Sequence, residues 1–145
     1  METEDLRIKK LRDYLFNVLE EIEYNYKRKN SQINVDFLSD KVENYSLDKI
    51  PVASVVERWI TGVNLYRDVY SFRSRMSYSA DVISNIKNIG FFEMFENLIE
   101  DKNRSGNLPD IEGIQTINCL NCGTFNNGDT NTAEFDIQLQ IEYIK

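Results

Sequence analysis

The chain reads as an α+β fold: a largely antiparallel, mixed β-sheet built from two hairpins and a short strand, with two long helices packed on one face. Three observations predict this. Apolar residues recur at helical spacing in two separate stretches, one near the start and one after the middle. Turn signals at Thr61-Gly62 and Asn127-Gly128 each lie between strand-like runs. The closing segment alternates apolar and polar residues all the way from Thr132 to Ile144. At 145 residues the chain fits one domain, residues 1–145, long enough to remove roughly two thirds of its unfolded surface from water.

The first helix is expected from Glu4 to Lys29. Ile8, Leu11, Leu15, Val18, Leu19, Ile22 and Tyr26 follow the i, i+3/i+4, i+7 rhythm, while Lys10, Asp13, Asn17, Glu20 and Glu21 occupy the other face. Thr3 is placed to cap it, with Asp5 near the positive end of the helix dipole and Lys27-Arg28-Lys29 at the negative end. Ser31 to Phe37 alternates Ile33, Val35 and Phe37 against Asn34 and Asp36, which predicts a short half-buried strand. Leu38 to Ile50 is polar and irregular, and a surface loop is expected there. Pro51 then opens the approach to the next strand, where its missing N–H is tolerated.

The central hairpin turns on Thr61-Gly62. Its second strand sorts by parity, with Tyr66, Tyr70, Phe72, Met76 and Tyr78 on one side and Arg67, Val69, Arg73 and Arg75 on the other. Ser79 is expected to cap a second helix from Ala80 to about Lys102. Its buried stripe is Val82, Ile86, Ile89, Phe92, Phe95, Leu98 and Ile99, with Gly90 able to bend it or permit close packing. Asn103 to Pro109 supplies a glycine stop followed by proline. The last hairpin is expected to pair Ile114–Phe125 with Thr132–Ile144 around Asn126-Asn127-Gly128-Asp129.

Composition narrows the function. The chain holds 24 acidic against 17 basic residues, a net charge of -7 that disfavours duplex nucleic acid, because phosphate binding needs clustered Lys and Arg. Histidine is absent, which removes the commonest general base, the commonest metal ligand and every nucleophile–histidine pair. No apolar run approaches the ~20 residues that span a bilayer, and METEDLRIKK carries no apolar signal core, so a cytoplasmic protein with no membrane partner is expected.

No catalytic, cofactor-binding or metal-binding residue is expected. Cys119 and Cys122 form a CxxC, but zinc wants four ligands, and residues three apart on a strand point to opposite faces unless the strand breaks. Two reduced cysteines are the expectation. Asn126–Glu134 lacks the spacing of a calcium loop. Glu20, Glu21, Glu93, Glu96 and Glu100 read as solvated helix faces, and the glycines are scattered singly rather than gathered in a phosphate loop.

Arg67, Arg73 and Arg75 are the candidate functional residues. Either they pair with acids of neighbouring strands, worth about 1 kcal/mol or less each when exposed, or they meet an acidic surface of a second copy. A third possibility is that they face a channel through which DNA passes.

The run RWITGVNLYRDVYSFRSRMSYS, the helix NIGFFEMFENLIEDKNRSGNLPDI and the closing strand DTNTAEFDIQLQIEYIK resemble the minor capsid or tail-terminator family of tailed phages, prophages and phage-tail-like bacteriocins. The similarity covers Pro51 to Lys145. It implies a structural virion subunit that closes into a homohexameric ring at the head-proximal end of a tail tube. Such a ring stops tube polymerisation and offers a surface to the head. The implied partners are further copies of the chain, the tail tube protein and a sheath or head-connector protein, with nucleic acid at most passing through the lumen. The implied location is the host cytoplasm during assembly and then the particle. The alternative is a small non-enzymatic adaptor module that binds one phage or host protein.

Overall fold

The computed structural model describes residues 3–26, 32–35, 44–77, 82–121, 124–128 and 132–145. Its elements are α1 (Glu4–Tyr26), β1 (Gln32–Val35), β2 (Asn44–Ile50), β3 (Val55–Arg58), β4 (Asn64–Ser77), α2 (Val82–Ser105), β5 (Ile114–Cys119), β6 (Thr124–Gly128) and β7 (Thr132–Ile144). This is the expected α+β arrangement of two helices and a mostly antiparallel sheet.

Long alternating strands bury most when paired along their whole length, and β4 and β7 do so, antiparallel from Leu65 opposite Ile144 to Ser77 opposite Thr132. Short strands complete each flank of this pair. On the outer side of β4, β2 covers Val69 to Arg75 and β3 covers Asn64 to Tyr66. On the outer side of β7, β5 and β6 follow one another in the same way. β1 lies beyond β2 and is parallel to it.

One face of this sheet carries the core. Tyr45, Leu47, Tyr70, Phe72, Ile137, Leu139, Ile141 and Tyr143 meet Leu11, Leu15, Val18, Leu19 and Ile22 of α1 and Phe91, Phe92, Phe95 and Ile99 of α2 in a single buried cluster. Each such side chain contributes roughly 1.5–3 kcal/mol of burial. Aromatic rings tie sheet to helix: Tyr45 stacks on Phe72 at 5.3 Å between centroids, and Phe72 stacks on Phe95 at 5.2 Å.

The helix ends follow the sequence. The Thr3 carbonyl accepts the first helical hydrogen bond from the Arg7 N–H at 3.0 Å, as an N-cap does. At the other helix, α2 runs to Ser105 and Gly106 takes φ 78°. The Asn107 N–H reaches the Lys102 carbonyl at 2.9 Å and the Gly106 N–H reaches that of Asn103 at 3.4 Å, the two bonds of a Schellman stop. Lys27, Arg28, Lys29, Phe37, Tyr78, Ser79 and Ala80 lie outside the described residues.

Four expectations are corrected. The supposed loop from Leu38 to Ile50 contains β2, whose Tyr45 and Leu47 are buried. Ser46 and Asp48 read as loop chemistry, but they face away from the helices, where the Ser46 hydroxyl donates to Asp48 at 2.6 Å. The strand expected from Ile114 to Phe125 is two strands, β5 and β6, which pair with successive parts of β7. β6 also continues through Gly128, opposite Ala133, so Asn127 and Gly128 pair with β7 rather than forming the turn, and the register shifts at Asn126. Phe91, left out of the expected stripe of α2, is buried beside Phe92.

Gly113 marks where the chain passes closest to itself. It holds φ 75°, and a Cβ there would lie 2.2 Å from the Ile144 carbonyl oxygen, while its own carbonyl accepts the Ile144 N–H at 2.8 Å. Neither the angle nor the backbone contact admits a side chain. Gly113→Ala is expected to destabilise the fold by at least about 2 kcal/mol, read as a lower urea midpoint with unchanged slope.

Candidate interaction surface

The sheet face turned away from the helices holds the three arginines. Across β4 and β7 each stands opposite an acid: Arg67 by Glu142, Arg73 by Asp136 and Arg75 by Glu134. Arg73 is engaged on both sides, forming ion pairs with Asp48 of β2 and with Glu134 of β7, the latter at 3.3 Å. Burial works against its charge, but the hydrogen bond and charge of Asp48, with those of Glu134, outweigh it and hold its pKa above the ordinary guanidinium value. Ser71 donates to Asp136 at 2.5 Å on the same face. Arg75 also has an interaction within the chain. The stripe is thus woven into cross-strand pairing on a half-buried surface.

Arg67 has a different role. Its N–H donates to the Ser54 carbonyl at 2.7 Å and its Nε to the Ala53 carbonyl at 3.0 Å. These bonds fasten the segment before β3 against β4 and so hold the base of the central hairpin.

That hairpin ends in an apolar tip. The Trp59 N–H reaches the Val63 carbonyl at 3.3 Å and the Gly62 N–H reaches that of Trp59 at 3.1 Å, closing the turn. Ile60 is fully exposed at its apex, and Val56, Trp59 and Val63 are exposed around it, with Val52 further back. A turn this short is normally filled by Gly, Asn, Asp or Ser, so Trp59-Ile60 in that position was a legible departure from turn chemistry. Sequence reasoning passed over it by attending to Thr61-Gly62 alone.

A buried polar clasp lies near the root of the hairpin. Arg7 of α1 donates from Nε to Asp68 of β4 at 3.0 Å, and both side chains are almost fully buried. The hydroxyls of Tyr143 and Tyr70 donate to the same carboxylate at 3.2 and 3.3 Å. The Arg7 guanidinium also lies over the Tyr143 ring, 4.7 Å from its centroid. Lys49 bridges outward to Glu4 at 2.7 Å, with Asp68 3.9 Å away. Burial opposes the charge on Arg7, and Asp68 more than restores it, raising its pKa. Burial first, and the negative charge of Asp68 next, push the phenol of Tyr143 up to about 12 and that of Tyr70 higher still. Parity placed Asp68 among the aromatic residues of β4, and Arg7 stands four residues before Leu11 on the stripe of α1. Two opposite charges on two apolar faces were the available sign of the pair.

On the outer side of α1 an open groove of about 450 Å³ runs between the helix and the loop after α2, lined by Leu6, Lys9, Asp13, Tyr14, Leu108 and Asp110 among others. The Tyr14 hydroxyl donates to the Asn107 carbonyl at 2.9 Å and fixes one wall to the other. Burial, with smaller contributions from the charges of Glu21 and Cys119, pushes that phenol up to about 12.

Cys119 ends β5 as a partly buried thiol, and Cys122 lies outside the described residues. Among the described residues no group of three or more Cys, Asp or Glu is placed to hold a metal ion, and no helix is long and apolar enough to cross a membrane. Comparison with known proteins finds no family model that matches the chain and no curated protein that matches it.

Two outcomes follow from the clasp and the groove. Asp68→Ala strands the Arg7 charge in the core and is expected to cost about 3–5 kcal/mol in chemical denaturation, whereas Arg7→Met combined with Asp68→Leu recovers most of that loss. The second concerns alkali. Unfolded tyrosines ionise near pH 10, while Tyr14 and Tyr143 hold their protons to about 12. The unfolded chain therefore binds fewer protons from about pH 10 upward, and the stability present below that pH falls as pH rises through this window. Urea midpoints at pH 8, 10 and 11 are expected to stay level to about pH 10 and then drop.

Proposed function

We propose that the chain is a structural subunit of a phage tail or tail-like particle. In this reading it closes into a homohexameric ring on the head-proximal end of the tail tube, stops further growth, and presents the docking surface for the head connector. The observation that carries the reading is the fastened apolar hairpin tip, with Trp59 and Ile60 held out from an otherwise acidic chain. A side chain so exposed costs solubility in an isolated subunit and is stabilising only against a partner. The resemblance of Pro51–Lys145 to tail terminators supports the same conclusion, since this segment includes the hairpin.

Capping needs no bond to be made or broken. The ring must complement the last tube ring on one face and refuse another tube subunit on the other. Catalytic residues, cofactor and metal have no part in it. Arg67 serves the ring indirectly by fixing the hairpin base, while Arg73 and Arg75 on the open sheet face are the candidates for the contact with the next copy or the lumen. Assembly takes place in the host cytoplasm with the tube protein, and a sheath protein where the tail has one.

The test is assembly itself. The chain alone or with tail tube protein is expected to give rings in electron micrographs and concentration-dependent mass in sedimentation. Ile60→Asp is expected to weaken association at least about tenfold with the fold unchanged by circular dichroism. A chain that stays monomeric at high concentration with tube protein present would defeat the proposal. One-to-one complexes without rings would favour the adaptor reading.

A further inference from the structure

We infer that the buried Arg7–Asp68 pair and the stacked tyrosines beside it form a strut that holds the central hairpin in one direction, so that the seating of α1 controls where the tip points. The inference goes beyond the proposed ring. It concerns the isolated subunit, and so it stands or falls apart from assembly.

The first observation is what the hairpin lacks. β4 and β7 pair no further than Leu65 opposite Ile144, with one more exchange of backbone bonds between Asn64 and Lys145. The turn lies beyond that point, and Val56, Trp59, Ile60 and Val63 are exposed, so none of them anchors it in the core. The ladder between β3 and β4 is itself interrupted by a register shift between Val55 and Glu57. A bulge bends and twists the strand that carries it, and a two-stranded ribbon is marginal by itself. The direction of the tip is therefore set at its root.

The second observation is an unbroken line of side-chain contacts from α1 to that root. Arg7 donates to one oxygen of Asp68 at 3.0 Å, and the Tyr143 hydroxyl donates to the other at 3.2 Å. The Arg7 guanidinium also lies 4.7 Å from the centre of the Tyr143 ring. Tyr143 in turn stacks on Tyr66, with centroids 5.9 Å apart and planes 16° from parallel. Tyr66 stands opposite Val55 of β3. Its ring carries the Lys145 ammonium 4.7 Å from its centre, and its hydroxyl accepts the Asn64 amide at 3.4 Å. Arg67 fastens the segment before β3 by backbone acceptors, and this line fastens β4 to the helix.

The third observation is the kind of contact. A carboxylate that accepts from one guanidinium and two phenols is satisfied over a narrow range of angles. Stacked rings likewise prefer a defined offset. Buried polar contacts of this sort contribute little net stability relative to apolar ones of the same size. What they supply here is direction.

The chain carries its own probe, because Trp59 at the tip is its only tryptophan. Time-resolved fluorescence anisotropy of Trp59 in dilute full-length chain reads hairpin motion on the nanosecond scale. Arg7→Met combined with Asp68→Leu is expected to keep a urea midpoint close to the parent's while the amplitude of the nanosecond component rises at least about twofold. Tyr66→Leu is expected to do the same by breaking the line nearer the tip. Phe95→Leu, in the core under α2, is expected to lower the urea midpoint and leave the Trp59 decay as in the parent, which separates aim from stability. Should the double variant fail to fold, Tyr143→Phe removes only the hydroxyl that reaches Asp68 and is expected to raise the same component. Folded variants along the line that leave the decay unchanged would overturn the inference. So would a Phe95→Leu chain whose tip loosens as much as theirs.

Discussion

Everything in this molecule is registered against the long antiparallel pairing of β4 with β7. Because the two strands match from Leu65–Ile144 to Ser77–Thr132, one face of the pair is committed to Tyr70, Phe72, Ile137, Leu139 and Ile141. A slip of one residue would turn all of these to water and bring the arginines and glutamates inward, so the register is strongly fixed. The helices then have one place to lie, and the short strands complete the edges that the pair leaves open. The Arg73 network on the opposite face follows from the same register, since it requires Asp48, Arg73 and Glu134 to come level across three strands.

The clasp of Arg7 and Asp68 breaks that division of faces. A buried ion pair contributes little net stability relative to apolar residues of similar size. It contributes position. Asp68 offers its carboxylate to one guanidinium and two phenols, and satisfying all three fixes the first turns of α1 over β4 and β7 in a way that interchangeable leucines do not. The same end of the sheet carries the root of the hairpin: Asn64 and Lys145 exchange backbone hydrogen bonds at 3.1 and 3.0 Å, and Tyr66 stacks on Tyr143 at 5.9 Å. The tip is therefore aimed by the most heavily constrained part of the subunit.

How much of this was legible depended on whether a local pattern carried the structural decision. The stripe of α1 and the alternation of β7 are long and each has one apolar face, so periodicity alone identified them and most of the core. β2 escaped because a strand with two core residues, Tyr45 and Leu47, has too short a period to stand out, and because Asp48 finds its partner in Arg73, distant in sequence. The break between β5 and β6 is set by how both strands share β7, which no window along the chain contains. The candidate arginines were legible as a stripe, but the acids that face them lie in β2 and β7, and only the register brings Asp48 and Glu134 to Arg73. Trp59-Ile60 was visible, yet a turn is read for its glycine before it is read for what projects from it.

The exposed tip also conflicts with the economy of the rest of the surface. The open sheet face pairs its charges, and β3 is a short edge strand with Glu57 and Arg58, which discourages indiscriminate strand addition. Against that background, Trp59 and Ile60 stand out as part of an exposed apolar cluster with Val56 and Val63. Selection for solubility would replace them with polar turn residues at no cost to the fold, because the turn is closed by backbone bonds and the base by Arg67. The proposed contact with a partner accounts for their presence. In the proposed ring, a knob carried on a fixed base would set the angle of the contact as well as its strength.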